Sequence, residues 1–460
     1  MFVWFSRFAK KYLILGGSLV ITLAALGGLV WRGGMSREIA GMVGSIASST
    51  SLSHGVALAP QKEEKPLAER MREAEMRAAN IKGLYMTADV ANDQGRGAIG
   101  LRNNIIALAE KTEINAIVVD VKEVCGPDYN EKHLGSLLTE LHQKNIWAIA
   151  RIVAFKDASQ INAHPEWYLK HASAKAIPNA GCARKKYLRV PAPAGVTPSI
   201  PLWQDNKGGY WMDPASPGAR QYILALAKKM ADLGFDEVQF DYVRFPSDGD
   251  VAKAMYPAWD GKTPKYVVMK SFFEFLHDNL KAYKPELILS ADLFGYVATS
   301  GSDVGIGQRL EDVGDNFDFV SLMVYPSHYY SGLVLPPDPV RKLPAINWNV
   351  NQARTNPGIL VERAMFFAED LLNKRTASSS VAVAASSTVP AVGVSSTTPR
   401  HARLRPWLED FFHEADRVAG RPSGELKVRL QADAAEKSSG HGWLLWNASN
   451  VYTESALKAE

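Results

Sequence analysis

Phe235-Asp236-Glu237-Val238-Gln239-Phe240-Asp241-Tyr242-Val243-Arg244-Phe245-Pro246 begins with the alternation of a buried strand. Val238 and Phe240 point one way, Gln239 and Asp241 the other. A helical pattern over residues 214–232 precedes it and closes at Gly234, so the order is helix, tight turn, strand. That is half of a βα repeat, with Asp241 at the strand's C-terminal end. Barrels of parallel strands carry their catalytic groups at that end. A carboxylate in this place can also cap a loop or pair with Arg244, so the reading depends on the rest of the chain.

Working outward, the same rhythm recurs. Strand patterns fall at residues 83–88 (GLYMTA), 116–121 (AIVVDV), 147–155 (WAIARIVAF), 287–292 (LILSAD), 319–325 (FVSLMVY), 404–408 (LRPWL) and 442–446 (GWLLW). Helical patterns at 66–80, 98–111, 131–145, 158–170, 266–283 and 358–374 lie between or before them. Eight strands separated by helices predict an α/β chain closed as a (β/α)₈ TIM barrel. A doubly wound open sheet would carry a glycine-rich phosphate fingerprint after its first strand. Asp93-Gln94-Gly95-Arg96-Gly97 is only a polar turn.

At 460 residues and 47% hydrophobic, the chain can bury a large core. Its net charge of +4 is nearly balanced, without a basic stripe interleaved with aromatics, which argues against a nucleic-acid partner. The two cysteines, Cys125 and Cys182, match no zinc spacing, and a disulfide and two free thiols are both open. Residues 12–31 are twenty positions without a charge, enough for one transmembrane helix. Arg7, Lys10 and Lys11 precede them, against Arg32, Arg37 and Glu38 behind, which favours a cytoplasmic N-terminus and an extracytoplasmic body. A cleaved signal peptide is the competing reading; the apolar run is long for one, and Ala57-Leu58-Ala59 lies far downstream before Pro60. The expected organisation is a stub and anchor over residues 1–32, a small-residue linker over 33–65, and the barrel over 66–460. Residues 376–399, almost all Ser, Thr, Ala, Val and Pro, read as a disordered low-complexity insertion in that barrel.

Strand parity places polar groups in the barrel mouth. Asp120 and Lys122 share a face of the second strand, and Arg151 lies on the third. Asp241 and Asp292 end the fourth and fifth, Tyr325 ends the sixth and leads to His328, and Trp407 and Trp446 belong to the last two. Buried carboxylates are costly unless paired or used. Two of them facing one cleft suit glycosidic bond cleavage, one neutral to protonate the leaving oxygen, the other ionised to attack or to activate water. Trp203, Tyr210 and Trp211 supply aromatic faces for sugar rings, and Asp205 and Asp213 among them can grip the hydroxyls; Trp443, on the other parity from Trp446, reads as core. No His-rich metal cluster, G-x-S-x-G elbow or Cys–His arrangement competes, so no metal or cofactor is expected.

Several of these stretches resemble one family. They are Val119-Asp120-Val121-Lys122, Ile149-Ala150-Arg151-Ile152-Val153, Gln239-Phe240-Asp241-Tyr242-Val243-Arg244-Phe245-Pro246, Ala291-Asp292-Leu293-Phe294-Gly295, Met323-Val324-Tyr325-Pro326-Ser327-His328-Tyr329 and Arg405-Pro406-Trp407-Leu408-Glu409. The family is a glycosyl hydrolase-like domain group of exported bacterial TIM barrels, distantly similar to α-amylase-like enzymes, and the resemblance runs from about residue 82 to 446. It implies Asp241 as nucleophile or base and Asp292 as general acid, where amylases have Glu. Asp120, Lys122, Arg151, Trp211, Arg244, Tyr325, His328, Trp407 and Trp446 would then hold or position a polysaccharide or oligosaccharide. The expected protein is a membrane-anchored extracytoplasmic glycoside hydrolase. The rival reading is a non-catalytic glycan-binding or envelope scaffold on a hydrolase-like barrel.

Overall fold

The computed structural model describes residues 65–171, Cys182, 201–386 and 401–459, with side chains of the long helix described to residue 374. The expected anchor over 1–32, the linker up to residue 64, most of 172–200 and the end of the low-complexity segment lie outside the described residues. Among the described residues, no helix is long and apolar enough to cross a membrane.

Eight parallel strands close on themselves. They are β1 (Ile81–Met86), β2 (Ala116–Glu123), β3 (Trp147–Val153), β4 (Glu237–Asp241), β5 (Ile288–Phe294), β6 (Phe319–Met323), β7 (Arg403–Leu404, resuming at Trp407–Glu409) and β8 (Gly442–Trp446). Each pairs with its sequence neighbours, and β8 returns to β1 through Ile81 opposite Gly442. Closure removes the barrel's free edges. Helix α1 (Leu67–Ala78) packs Ala74 and Ala78 on the barrel interior at the N-terminal strand ends. The outer shell includes helices α2 (Arg96–Lys111), α3 (Glu131–Gln143), α4 (Pro217–Leu233), α5 (Lys265–Tyr283), α6 (Pro357–Ser386) and α7 (Gly424–Ser438). The expected (β/α)₈ barrel is present.

The α4–β4 unit shows how sequence makes this geometry. Ser216 caps α4 by accepting from the Ala219 amide, Pro217 presets the first turn, and Gly234 ends the helix at φ 104°. Ile223, Ala227, Met230 and Ala231 face the barrel. Val238 and Phe240 point outward into that helix–sheet core, leaving Glu237, Gln239 and Asp241 for the interior. The interior is strongly polar for a barrel. Glu237 pairs with the fully buried Arg405 and accepts from Ser290 Oγ at 2.5 Å and Trp147 Nε1 at 3.2 Å. Ile81, Tyr85, Val118, Ile149, Phe319, Trp407 and Leu444 fill most of the remaining interior.

Three sequence expectations change. The helix expected at 158–170 is absent; turns and a short 3₁₀ turn (Pro165–Trp167) replace it. Pro165 cannot donate within a helix, and Asp157 draws the Ser159 amide into a local turn at 2.6 Å. α6 runs to Ser386, into the first part of the segment expected to be disordered. The sequence pattern does not announce α7, because Lys427 and Gln431 lie on its buried face and blur the apolar period. Lys427 is accommodated there by Glu409 at 3.2 Å and the Phe411 carbonyl at 2.6 Å. Cys125, in the turn after β2, forms a disulfide with Cys182, closing a separation of 57 residues.

Candidate active site

At the C-terminal mouth of the barrel lies a cavity of about 420 Å³. Its floor is built around one guanidinium. Arg151, on β3, donates through Nη1 to Asp120 on β2 at 2.5 Å and through Nη2 to Asp241 on β4, and its Nε lies 3.5 Å from Asp292 Oδ2 on β5. Strand register explains the grouping, since Arg151 lies opposite Asp120 on one side and opposite Gln239, two residues before Asp241 on the same face, on the other. Tyr85 on β1 closes the ring by donating to Asp120 Oδ2 at 2.5 Å.

The three carboxylates differ in their surroundings. Asp241 Oδ2 is held by Arg151, and Oδ1 accepts from the Tyr242 amide at 2.5 Å. Asp292 is buried more completely; Oδ1 accepts from Trp407 Nε1 at 2.8 Å, while Oδ2 has no hydrogen-bond partner. Burial, and next the charge of Asp241, push the Asp292 carboxyl well above the ordinary carboxylate range, and the opposing pull of Arg151 and Trp407 does not restore it. Burial also raises Asp120. For Arg151 burial opposes the charge, and Asp120 and Asp241 outweigh it, so the guanidinium is held charged. The site therefore contains a carboxyl biased toward its neutral form beside an ion-paired carboxylate.

Tyr242 follows Asp241 in a left-handed conformation, φ 51°, which a bulky residue adopts only under tertiary constraint. The reversal lets Asp241, Tyr242 and Arg244 line one cavity. Gly295 makes a close approach on the far side, where a Cβ would lie 2.3 Å from the Met323 carbonyl oxygen. Aromatic walls complete the space. Trp446 stacks on Tyr325 at 5.5 Å and meets Tyr85 edge-on at 6.1 Å, and Trp211 packs against Tyr242 at 5.7 Å. Burial lowers the His328 imidazole, whose Nδ1 lies 2.9 Å from Ser327 Oγ. A second hollow of about 620 Å³ shares His328 and Trp446 with the first.

Of the residues expected from sequence, Asp241, Asp292, Arg151, Trp211, Arg244, Tyr325, His328, Trp407 and Trp446 all line the cavity. Asp120 does not; it lies behind the wall, 1% exposed, as a partner of Arg151 and Tyr85. Lys122 is in the wrong place altogether. The β2–β3 register slips between Asp120 and Lys122, and a one-residue slip turns a side chain to the other face. Lys122 is instead fully buried against Asp157 at 3.0 Å and the Val153 and Ala154 carbonyls. Trp443 is buried in the outer core, as its parity implied. Trp203 is also outside the cavity lining, donating to the Asp250 carbonyl at 2.9 Å. Tyr85, Lys156 and Tyr242 are cavity residues that the sequence reading missed. The alternation of β1 carried the signal for Tyr85; nothing in the local pattern announced the turn at Tyr242. Among the described residues, no three His, Cys, Asp or Glu side chains group to hold a metal ion.

A family model described as "Putative glycosyl hydrolase domain" matches residues 83–452, from β1 to beyond β8. The chain belongs to this family. No curated protein matches it. Among solved structures, it is similar to a hypothetical protein from Ruminiclostridium thermocellum, at 26% identity over 45% of this chain and 96% of that one, TM-score 0.34. It is also similar to the PgaB (BpsB) glycoside hydrolase domain from Bordetella bronchiseptica, at 11% identity over 81% and 95% of the two chains, TM-score 0.49. Eubacterium rectale Amy13B aligns at 12% identity over 84% and 69%, TM-score 0.46.

Proposed function

We propose that this family member is a glycoside hydrolase that cleaves O-glycosidic bonds of a polysaccharide. The observation that carries the reading is the unequal pair at the cavity floor, with Asp292 held toward the neutral acid beside ion-paired Asp241. Asp292 donates its proton to the departing glycosidic oxygen, while Asp241 attacks the anomeric carbon or activates water on the opposite face. Arg151 orients Asp241 and, with Tyr85 behind it, Asp120 anchors Arg151. Trp211, Tyr325, Trp407 and Trp446 offer aromatic faces to sugar rings, and the adjoining hollow gives a polymer room beyond the reacting bond.

The body works outside the cytoplasm on this reading, tethered by residues 12–31 with the N-terminus inside. The charge asymmetry around that run and the Cys125–Cys182 disulfide support an exported, oxidising setting. A second reading, a glycan-binding scaffold without turnover, draws on one feature: both oxygens of Asp241 are already engaged, by Arg151 and the Tyr242 amide.

A glycan screen of the full chain, run beside Asp241→Asn, separates the two. New reducing ends from the wild type alone establish the hydrolase. Full activity in Asp241→Asn removes that residue from the chemistry, and binding by both proteins with turnover by neither selects the scaffold.

A further inference from the structure

One cation in the cavity wall has no catalytic task. Arg244 is 8% exposed and lines the cavity beyond Tyr242. Its Nη1 donates to the Phe245 carbonyl at 3.0 Å and to Ser247 Oγ at 3.2 Å. The guanidinium packs over the rings of Trp211 at 4.9 Å, Tyr242 at 5.1 Å and Phe294 at 5.5 Å. Among the described residues it forms no ion pair, and neither Nε nor Nη2 donates a hydrogen bond. Arg151 on the cavity floor, by contrast, has three carboxylates, and the fully buried Arg405 has Glu237.

The neighbouring charges favour an anion. Lys156 and Lys207 line the same wall. Lys156 is neutralised by Asp205 at 2.7 Å; Lys207 is exposed. Asp248 also lines the cavity, and its Oδ1 accepts from the Asn206 amide at 3.1 Å. Asp241 and Asp205 also act on Arg244, but Arg151 holds the first and Lys156 the second, which leaves Asp248 as the carboxylate opposite Arg244 and Lys207. An arginine with Nη1 tied down presents Nε and Nη2 as a planar two-donor edge, the fork that matches a carboxylate. Its three aromatic neighbours fix the plane of that fork without spending its donors, so little ordering is left to do when an anion arrives.

We infer that the wall at Arg244 is a subsite for a carboxylate carried on a sugar, which makes the substrate an acidic glycan containing uronic acid residues. The inference rests on the carbohydrate reading of the same cavity, and it is a statement about binding, which can be measured without turnover. The ligands are hexasaccharides of polygalacturonate and hyaluronan, each compared with its carboxyl-reduced, neutral counterpart. Titration into full-chain Asp241→Asn by calorimetry is expected to show at least about tenfold tighter binding of an acidic form over its reduced partner. That preference weakens as salt is raised. In the double variant with Arg244→Gln it collapses to about twofold or less, and Arg244→Lys, which keeps charge but not the fork, restores part of it.

Equal binding of the acidic and reduced forms, no binding of either, or a preference that survives Arg244→Gln overturns the inference. Should Arg244→Gln fail to fold, the acidic-to-reduced ratio and its salt dependence in the Asp241→Asn background still decide. The two readings fail separately. Hydrolysis of neutral glycans without acidic preference sinks only this subsite, whereas acidic preference without any turnover sinks only the hydrolase.

Discussion

Replacing Asp292 with asparagine tests the central feature of the site without requiring its substrate. Folding raises the Asp292 pKa, through burial and then through the charge of Asp241. The native state thus holds this proton more tightly than the unfolded chain does. Its contribution to stability is complete below the unfolded value, about 4, and is lost as pH rises through the higher folded value. Across that window the wild type loses about 1.4 kcal/mol for each pH unit from this one group. The asparagine of the Asp292→Asn variant cannot ionise and has no such loss. It keeps an oxygen for Trp407 Nε1, and its amide replaces the Oδ2 that has no hydrogen-bond partner. An unsatisfied amide adds a cost, but one that does not vary with pH, so the slope is the readout. Urea denaturation of both proteins at half-unit steps from pH 4 to 9 gives the difference in unfolding free energy at each pH. That difference is expected to move in favour of Asp292→Asn, with a slope approaching about 1.4 kcal/mol per unit, and then to level off. In an Asp241→Asn background the rising segment is shorter, because the second cause of the shift is gone. A difference flat from pH 4 upward shows that the carboxyl ionises as freely in the folded protein as in the unfolded chain, and the assignment of Asp292 as the acid falls with it. Where a hydrolysed glycan is in hand, activity declines on the alkaline side through the same folded pKa, since the acid is then spent.

Two further perturbations probe the surrounding structure. Lys122→Met leaves Asp157 buried without its cation, and denaturation is expected to show a loss of about 3–5 kcal/mol. The folded fraction should keep its glycan affinity, since Lys122 lies outside the cavity; lost affinity at unchanged stability returns Lys122 to the site. Reduction of Cys125–Cys182, across 57 residues, is expected to cost about 4 kcal/mol by the loop-closure argument, read as a lowered denaturation midpoint in reductant. An unchanged midpoint with both thiols shown free refutes that figure.

The barrel was legible because parallel strands buried on both faces write themselves as short β-branched and aromatic runs. The helices between them keep their own period, and Asp241, Asp292 and Arg151 followed from strand parity. Parity failed where backbone geometry broke the repeat. Lys122 is two residues from Asp120 and belongs on its face in any regular strand, yet the register slip in β2 sends it to Asp157 instead. Tyr242 escaped notice for a related reason. Its left-handed turn lies between the buried Asp241 and Val243, and no glycine marks it. Arg244 shows the deeper limit. Sequence could place it near the mouth, but a lone arginine in a loop reads equally well as a partner for the nearest carboxylate, and Asp241 was three residues away. Only in three dimensions does Arg151 take Asp241 and leave Arg244 stacked on three rings with a donor edge unspent. The two arginines therefore divide the work by what each strand end lets them reach. One is consumed in setting the charges of the carboxyl groups, and the other keeps a donor edge that no carboxylate of the described residues takes.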